Sequence, residues 1–448
     1  MAEKSKAAEK SKAAEKSKAE ETGIALEGSK AEVSKAEGGG EAETGKAVER
    51  SEAAESGKAV ERSNAAETGE TAKMDRLMMG IAIELAKKGR GRTGPNPLVG
   101  AVIARGDRII GQGFHRMCGG PHAEREALAD CGESPAGATL YVTLEPCCHR
   151  GRTPPCTEAI LASGLRRVVI GSRDPNPRVN GRGAGLLEDA GLFVKRDFMR
   201  RECDELNPVF FHYITRGLPY VALKYAMTAD GKITGGPCRW ITGEEARREV
   251  HLLRNFYPAV MAGIGTVLAD DPLLTCRLPG GRNPLRIICD SRLTIPLDSR
   301  ICQTARAAPT IVAAAAPPPA KQTALEALGV TVIRVSGPGG RVDLKKLLEI
   351  LAKREISGIL VEGGGELNAG LLAAGLVQKV YAFVGARLFG GGAKTPVDGS
   401  LGPGLRGVTL TAPRVRTFGR DVLLEYELEP VADDGERSGG NSYVYGNH

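Results

Sequence analysis

A single tryptophan serves the whole 448-residue chain, and the three large aromatics together make up only 4% of it. None of them lies in the first 73 residues. There is no run of eighteen apolar residues, which argues against a helical membrane span. The opening MAEKSKAAEK has no apolar core, so it does not read as a secretory signal. The glutamates that follow are foreign to an organellar transit peptide. Ten cysteines, unevenly spaced and without an export signal, read as reduced thiols of a cytoplasmic protein rather than a disulfide framework.

What is present divides the chain. At this length two or three domains are expected, and 42% hydrophobic residues suffice to bury their cores. Residues 1–73 are low in complexity: EKSKAA recurs at a six-residue step, and GKAVERSEAAES is echoed by GKAVERSNAAET. With few aliphatics larger than alanine, this segment buries too little to offset its ordering entropy, and a disordered tail is expected. Met74 is a candidate alternative start. The tail holds thirteen Lys and Arg against sixteen Glu, a charge of −3, so the remaining chain carries +10 of the net +7. A basic folded portion suits an anionic small substrate, with non-specific nucleic-acid binding as the alternative.

From Met74 onward, strands and helices alternate. DRLMMGIAIELAKKG has helical apolar spacing, and LVGAVIARGDRIIGQGF reads as a hairpin turning at Gly106-Asp107. HAEREALADC, PPCTEAILASG and GAGLLEDAG read as helices, with ATLYVTLEPC and RRVVIGSRDP as strands. ELNPVFFHYITRGLP reads as a helix and linker. A second series begins at YVALKYAMTADGKIT and continues through AVMAGIG, LRIICDS, TIVAAAA, VTVIRVS, GILVEGG and VYAFVGA to DVLLEYELEP. Two α/β domains, 74–217 and 218–430, are expected between the tail and a polar C-terminal segment, 431–448.

PCCHRGRTPPC crowds Cys147, Cys148, His149 and Cys156 into ten residues, a pattern open to a metal site, a redox pair or a disulfide. Twenty-five residues before Cys147 stand His122 and Glu124, in PHAE. One imidazole and two thiolates leave an open position on a tetrahedral zinc ion, and a glutamate two residues from the ligand can move protons without binding metal. This is the zinc deaminase pattern. The second cysteine lies nine positions on rather than three, so Cys147 and Cys156, each after a proline, are the expected thiolate ligands, with Cys148 as the competitor. Cys₂His with an open site favours zinc over iron. Asn96 before a proline is also compatible with an Asx-turn, and His115 with a plain loop.

The second series has no Gly-x-Gly-x-x-Gly after its first strand. VEGGGELNAGLL, a strand running through glycines into a helix, suits a backbone amide cradle for phosphate, or equally a bare turn.

TGPNPLVGAVI, GFHRMCGGPHAE, YVTLEPCCHRGRTPPCTEAI and DPNPRVNGRG resemble the deaminase half of the bifunctional riboflavin-biosynthesis deaminase–reductases. PYVALKYAMTADGKIT, RWITG, HLLRN, GIGTVLADDPLLTCR, ICDSRL and VEGGGELNAG resemble the reductase half in order, so the resemblance covers about residues 74–430. It implies a cytidine-deaminase-like three-layer α/β/α domain followed by a dihydrofolate-reductase-like α/β domain. Deamination of a diaminated phosphoribosylamino-pyrimidinone and NADPH-dependent reduction of its ribosyl group to ribityl are the implied reactions. It further implies that Asn96, His115 and the loop 174–183 hold the pyrimidine. Met227, Trp240, Thr266, Asp270, Ser291, Gly364, Glu366, Leu367, Asn368, Ala369 and Gly370 are the implied NADPH contacts. Cys238, Arg254, Leu274, Arg277 and Glu362 line the second substrate site, with Arg254 and Arg277 suited to its phosphate. Two residues depart from the pattern: Cys148 stands where a small residue is expected and Cys238 where serine is expected. A homo-oligomer with a small-molecule substrate and no specific nucleic-acid or membrane partner is expected. A nucleoside or tRNA deaminase, and a scaffold working through its tail, are the competing readings. The long cysteine spacing and second domain oppose the first, and the intact His-x-Glu opposes the second.

Overall fold

A computed structural model describes residues 69–151, 154–236, 240–398 and 407–429. Both expected tails, apart from 69–73, and Cys238 lie outside the described residues.

The first domain is a five-stranded sheet of β1 (Gly100–Arg105), β2 (Arg108–Phe114), β3 (Thr139–Leu144), β4 (Arg167–Ser172) and β5 (Phe193–Lys195), in the order β2-β1-β3-β4-β5. β1 and β2 form the expected hairpin, β1 is antiparallel to β3, and β3, β4 and β5 run parallel. Its helices are α1 (Gly69–Lys87), α2 (Ala123–Ala129), α3 (Cys156–Ala162), α4 (Arg182–Asp189) and α5 (Arg200–Asp204). Strand β1 shows why the sheet has two covered faces. Ala101 and Ile103 pack with Ala123, Ala127, Ile160 and Leu187 of α2, α3 and α4. Val102 and Ala104 point the other way, onto Met78, Met79 and Ala82 of α1. A strand buried on both sides reads as an unbroken apolar run, as GAVIA does.

Helix α1 starts at Gly69, five residues before Met74, and Met74 itself packs at the margin of the core. Its Asp75 is fully buried and charged. Arg167 donates to both carboxylate oxygens at 2.6 Å, Tyr141 at 2.9 Å and Lys195 at 3.3 Å. Burial alone would raise this carboxyl, but these donors hold it below its usual range.

Helix α6 (Pro208–Arg216) leads into a nine-stranded sheet. Its strands are β6 (Tyr220–Thr228), β7 (Ala259–Gly263), β8 (Leu285–Cys289), β9 (Thr310–Ala314), β10 (Val330–Arg334), β11 (Gly358–Val361), β12 (Lys379–Gly385), β13 (Arg414–Phe418) and β14 (Asp421–Glu427). The order is β10-β9-β8-β7-β11-β6-β12-β14-β13, parallel from β10 to β12 and antiparallel beyond. The helices are α7 (Glu244–Phe256), α8 (Ile264–Asp270), α9 (Arg300–Gln303), α10 (Pro319–Ala327), α11 (Leu344–Lys353) and α12 (Gly365–Ala373). Alternate residues again divide the core: Val221 and Leu223 of β6 face α11 and α12, while Tyr220 and Ala222 face α7. No helix among the described residues is long and apolar enough to cross a membrane.

Candidate active sites

In the first domain the chemistry sits at the carboxyl ends of β3 and β4. His122 caps α2 with extended backbone angles, and its Nδ1 lies 3.4 Å from both the Cys147 and the Cys156 sulfurs. Cys147 follows β3, whereas Cys156 is the first residue of α3. The amides of Cys156 and Thr157 both donate to the Cys147 carbonyl, at 3.1 and 3.2 Å, which folds the intervening loop back on itself. The three donor atoms lie within 4.8 Å of one another. A tetrahedral zinc ion with ordinary Zn–N and Zn–S bonds would hold nitrogen and sulfur about 3.6 Å apart, so the donor set fits that ion.

The thiols behave as one unit. The hydrogen bond from Cys156 brings Cys147 down to about 4, and the same bond, with burial, raises Cys156. A divalent cation supplies the compensating charge that lets both ionise. Glu124, in the first turn of α2, is buried within hydrogen-bond reach of Cys156; burial, then the Cys147 charge, raises its carboxyl. Cys148 is turned away from this group, its thiol meeting the Arg178 carbonyl at 3.5 Å. His149 is not among the clustered donors.

Asn96 and His115 are brought together beside the metal donors. Their Nδ2 and Nε2 atoms are 3.1 Å apart, His115 Nδ1 donates to the Pro121 carbonyl at 2.9 Å, and the His115 and His122 rings meet edge-on at 5.5 Å. Burial lowers His115, favouring its neutral form. The loop 174–183 is pinned by a residue the motif reading passed over. Glu145 accepts from the amides of Gly181 at 3.0 Å, Ala184 at 3.1 Å and Asp174 at 3.4 Å. An acid directly before a Pro-Cys ligand pair was the available cue.

In the second domain the expected residues gather along the carboxyl ends of parallel strands, where α/β sheets bind ligands. Met227 is next to last in β6, Thr266 lies in α8 after β7, Ser291 follows β8, and the 364–370 segment, which opens α12, follows β11. The Gly363–Gly365 turn is sterically specified: a Cβ on Gly365 would fall 2.4 Å from Asp398 Cβ. Gly364 lies near Thr266, so the starts of α8 and α12 emerge side by side. Trp240 is half exposed with Arg247 stacked 5.0 Å above its ring, and Asp270 is exposed at the end of α8. Ser291 Oγ accepts the Val342 amide at 3.1 Å. Glu366 is exposed, whereas Asn368 and Ala369 are buried; Asn368 Nδ2 donates to the Pro396 carbonyl at 2.8 Å. The Asn368 Nδ2 thus serves the fold, while its buried Oδ1 has no hydrogen-bond partner among the described residues.

Glu362 anchors a buried ion cluster. Arg254 grips its two oxygens at 2.6 and 3.0 Å and uses a third N–H on the Thr275 carbonyl, while Lys224 reaches it at 3.4 Å. Burial would raise the Glu362 carboxyl, but the two cations hold it at about 2. Arg254 therefore spends its fork inside the protein, whereas Arg277 is exposed. Leu274 is buried with a positive φ of 52°, and its side chain packs in the core beside Val267 and Ile288. Lys224 was missed by motif reading, though a lysine inside the apolar strand YVALKYAMT is itself a signal.

Comparison with known proteins follows the same division. Residues 72–172 match the family model of the cytidine and deoxycytidylate deaminase zinc-binding region, and 219–424 match that of the RibD C-terminal domain. The riboflavin biosynthesis protein RibD of Actinobacillus pleuropneumoniae is 47% identical over 77% of this chain and 93% of its own length. Acinetobacter baumannii RibD, form 1, superposes with a TM-score of 0.72 at 36% identity, covering 80% of this chain and all of that one (100%). The Thermotoga maritima diaminohydroxyphosphoribosylaminopyrimidine deaminase/5-amino-6-(5-phosphoribosylamino)uracil reductase superposes at 0.69 with 38% identity, over 80% of this chain and 99% of that one. The two domains, the His/Cys/Cys donor set and these relatives together place the chain in the RibD family, the riboflavin-biosynthesis enzymes that join a zinc-dependent pyrimidine deaminase to an NADPH-dependent reductase.

Proposed function

We propose that the chain acts twice on one phosphorylated pyrimidine. It deaminates 2,5-diamino-6-(5-phosphoribosylamino)pyrimidin-4(3H)-one, then reduces the ribosyl group of the product to ribityl, giving 5-amino-6-(5-phosphoribitylamino)uracil. The observation that carries the reading is the convergence of His122, Cys147 and Cys156 beside buried Glu124.

Zinc held by those three residues supplies the Lewis acidity that makes water nucleophilic at neutral pH. Glu124 is placed to take the two protons of the attacking water in turn, delivering one to the ring nitrogen beside the attacked carbon and one to the departing amino nitrogen, so that water and substrate leave as oxo product and ammonia. Its raised carboxyl suits this double duty. Neutral His115 and Asn96 hold the ring: Nδ1 of His115 is committed to Pro121, which leaves the Asn96 carboxamide a free N–H and an oxygen for the pyrimidine edge.

In the second step NADPH supplies the hydride delivered to ribosyl C1. Gly364, Leu367 and Gly370 offer the cradle at the start of α12, with Ala369 contributing backbone only and Asn368 keeping an Oδ1 unpartnered among the described residues. Met227, Trp240, Thr266, Asp270 and Ser291 extend the cofactor edge. Arg277 binds the substrate phosphate, while Arg254 and Glu362 form one wall, with Cys238 assigned by resemblance alone. The cytoplasmic placement belongs to the same reading. A homo-oligomer is kept with it and is checked by sedimentation.

The test supplies the diaminated substrate and NADPH, and follows ammonia release and NADPH loss together. Ammonia first and NADPH consumption second is expected. Ammonia without NADPH loss, even with deaminated product supplied, would remove the reductase assignment.

A further inference from the structure

The loop that carries Asn96 is tied down at one end by the reductase domain and at the other by the segment that joins the two sheets. At its start, Arg282, between β7 and β8 of the reductase domain, donates Nε–H to the Gly91 carbonyl at 2.9 Å. Its other arm reaches the Tyr257 carbonyl at 3.1 Å. Gly91 has a φ of +80°, and a Cβ there would sit 2.4 Å from the Asn255 carbonyl oxygen, so the end of α7 is pressed against this turn. At the loop's far end, Asn207 of the linker is buried and its carboxamide meets both backbone groups of Leu98. Oδ1 accepts the Leu98 amide at 2.7 Å, and Nδ2 donates to the Leu98 carbonyl at 2.8 Å. Asn207 stands at the N-cap of α6 but its side chain makes no capping bond. It is spent on the deaminase loop instead. Between the two anchors, the back of residues 93–96 closes a cleft of about 170 Å³ against Phe210, Phe256, Pro258 and Ser357.

We propose that Asn207 and Arg282 are positioning residues for deamination, and that the linker and reductase domain hold Asn96 in register with His115 and the metal donors. This rests on the assignment of Asn96 to the pyrimidine. A loop fixed at Gly91 and Leu98 has little freedom to move the carboxamide between them. The same reductase segment carries Arg277, while Arg254 on α7 directly precedes Asn255, so one rigid piece faces both sites.

The experiment uses the full-length, zinc-loaded chain as wild type, Arg282→Ala and Arg282→Lys. It measures kcat and KM for ammonia release, zinc content, and NADPH oxidation with deaminated product supplied. Loss of a partly exposed charge-assisted hydrogen bond is expected to raise the deamination KM about three- to tenfold. Deamination kcat should stay within about twofold, with zinc content unchanged. Lysine, which can still donate to Gly91, should recover part of the loss. Reduction should also stay within about twofold, because the bonds from Arg282 N to Asn255 and from Cys276 N to Asn283 hold the reductase loop without the guanidinium. An unchanged deamination KM, an alanine variant that loses zinc or kcat together with KM, or a lysine variant no better than alanine would each overturn the proposal. Wild-type protein that releases no ammonia would instead sink the deaminase reading on which it stands.

Discussion

Replacing Glu362 with glutamine preserves shape and removes the single negative charge shared by Arg254 and Lys224. In the folded protein this carboxyl is held at about 2, against an ordinary 4.5. The difference corresponds to about 3 kcal/mol of stabilisation at neutral pH. The cluster is well shielded, with 9% of the Glu362 side chain exposed and 11–14% of its partners, so little of this is lost to solvent screening. The sign follows from linkage. A depressed carboxyl contributes its full stability above about pH 4.5 and loses it as the pH falls towards 2. Trp240, the chain's only tryptophan, reports on the reductase domain by fluorescence during urea unfolding. At pH 7 Glu362→Gln should unfold earlier by about 1 M urea or more, and the gap between variant and wild type should narrow between pH 4.5 and 2. Ammonia release at pH 7 should be weakened but not abolished, since the cluster reaches the deaminase loop only through the end of α7. A gap independent of pH, or one below about 1 kcal/mol at pH 7, would refute the reasoning that the cations are compensated by this carboxylate.

Glu124→Gln should cut ammonia release by about 10²–10⁴-fold, the usual worth of a positioned acid–base group. It should keep its zinc and still oxidise NADPH when deaminated product is added. Cys156→Ser should lower zinc content measured by elemental analysis, whereas Cys148→Ser should leave it at the wild-type value, because only the former thiol faces His122. A chelator should abolish ammonia release while NADPH oxidation with supplied product continues; parallel loss of both activities would contradict separate sites.

The sequence conveyed element types better than side-chain directions. Long apolar strands such as GAVIA and TIVAAAA were legible because burial on both faces leaves little room for polar residues. β13 was not, since RVRTF is an edge strand with Val415 half exposed and carries no core signature. Helix α1 begins before the motif-bearing chain because GETAK lacks large apolar residues to mark it. α8 carries no helix-start side chain, since glycine stands at its N-cap directly after the strand, and so nothing in the sequence sets it apart. At the sites, residue identity was legible where chemistry is narrow: few arrangements besides metal binding need His122, Cys147 and Cys156 together. Arginine and asparagine have wider uses. Arg254 had the right fork for phosphate but turns it on Glu362, and Asn368 donates to Pro396 rather than outward. Asn207 reads as an ordinary helix cap, and only the tertiary path of the chain brings Leu98 to it.

Both sites use strand ends and helix starts in the same way, and this bears on why tertiary placement decides the chemistry. Helix starts expose amides and carry partial positive charge, which favours thiolates and phosphates. In the deaminase domain, Cys156 opens α3 and His122 caps α2, so the group that must lose protons sits where anions are favoured. In the reductase domain, the starts of α8 and α12 emerge beside one another after the paired strands β7 and β11. The two domains share no strand, yet Asn255 and Arg254 are neighbours on one helix end, one pressed against the deaminase loop and the other locked to Glu362. A change that loosens the end of α7 should therefore weaken both activities, whereas a change at Arg282 should weaken deamination alone.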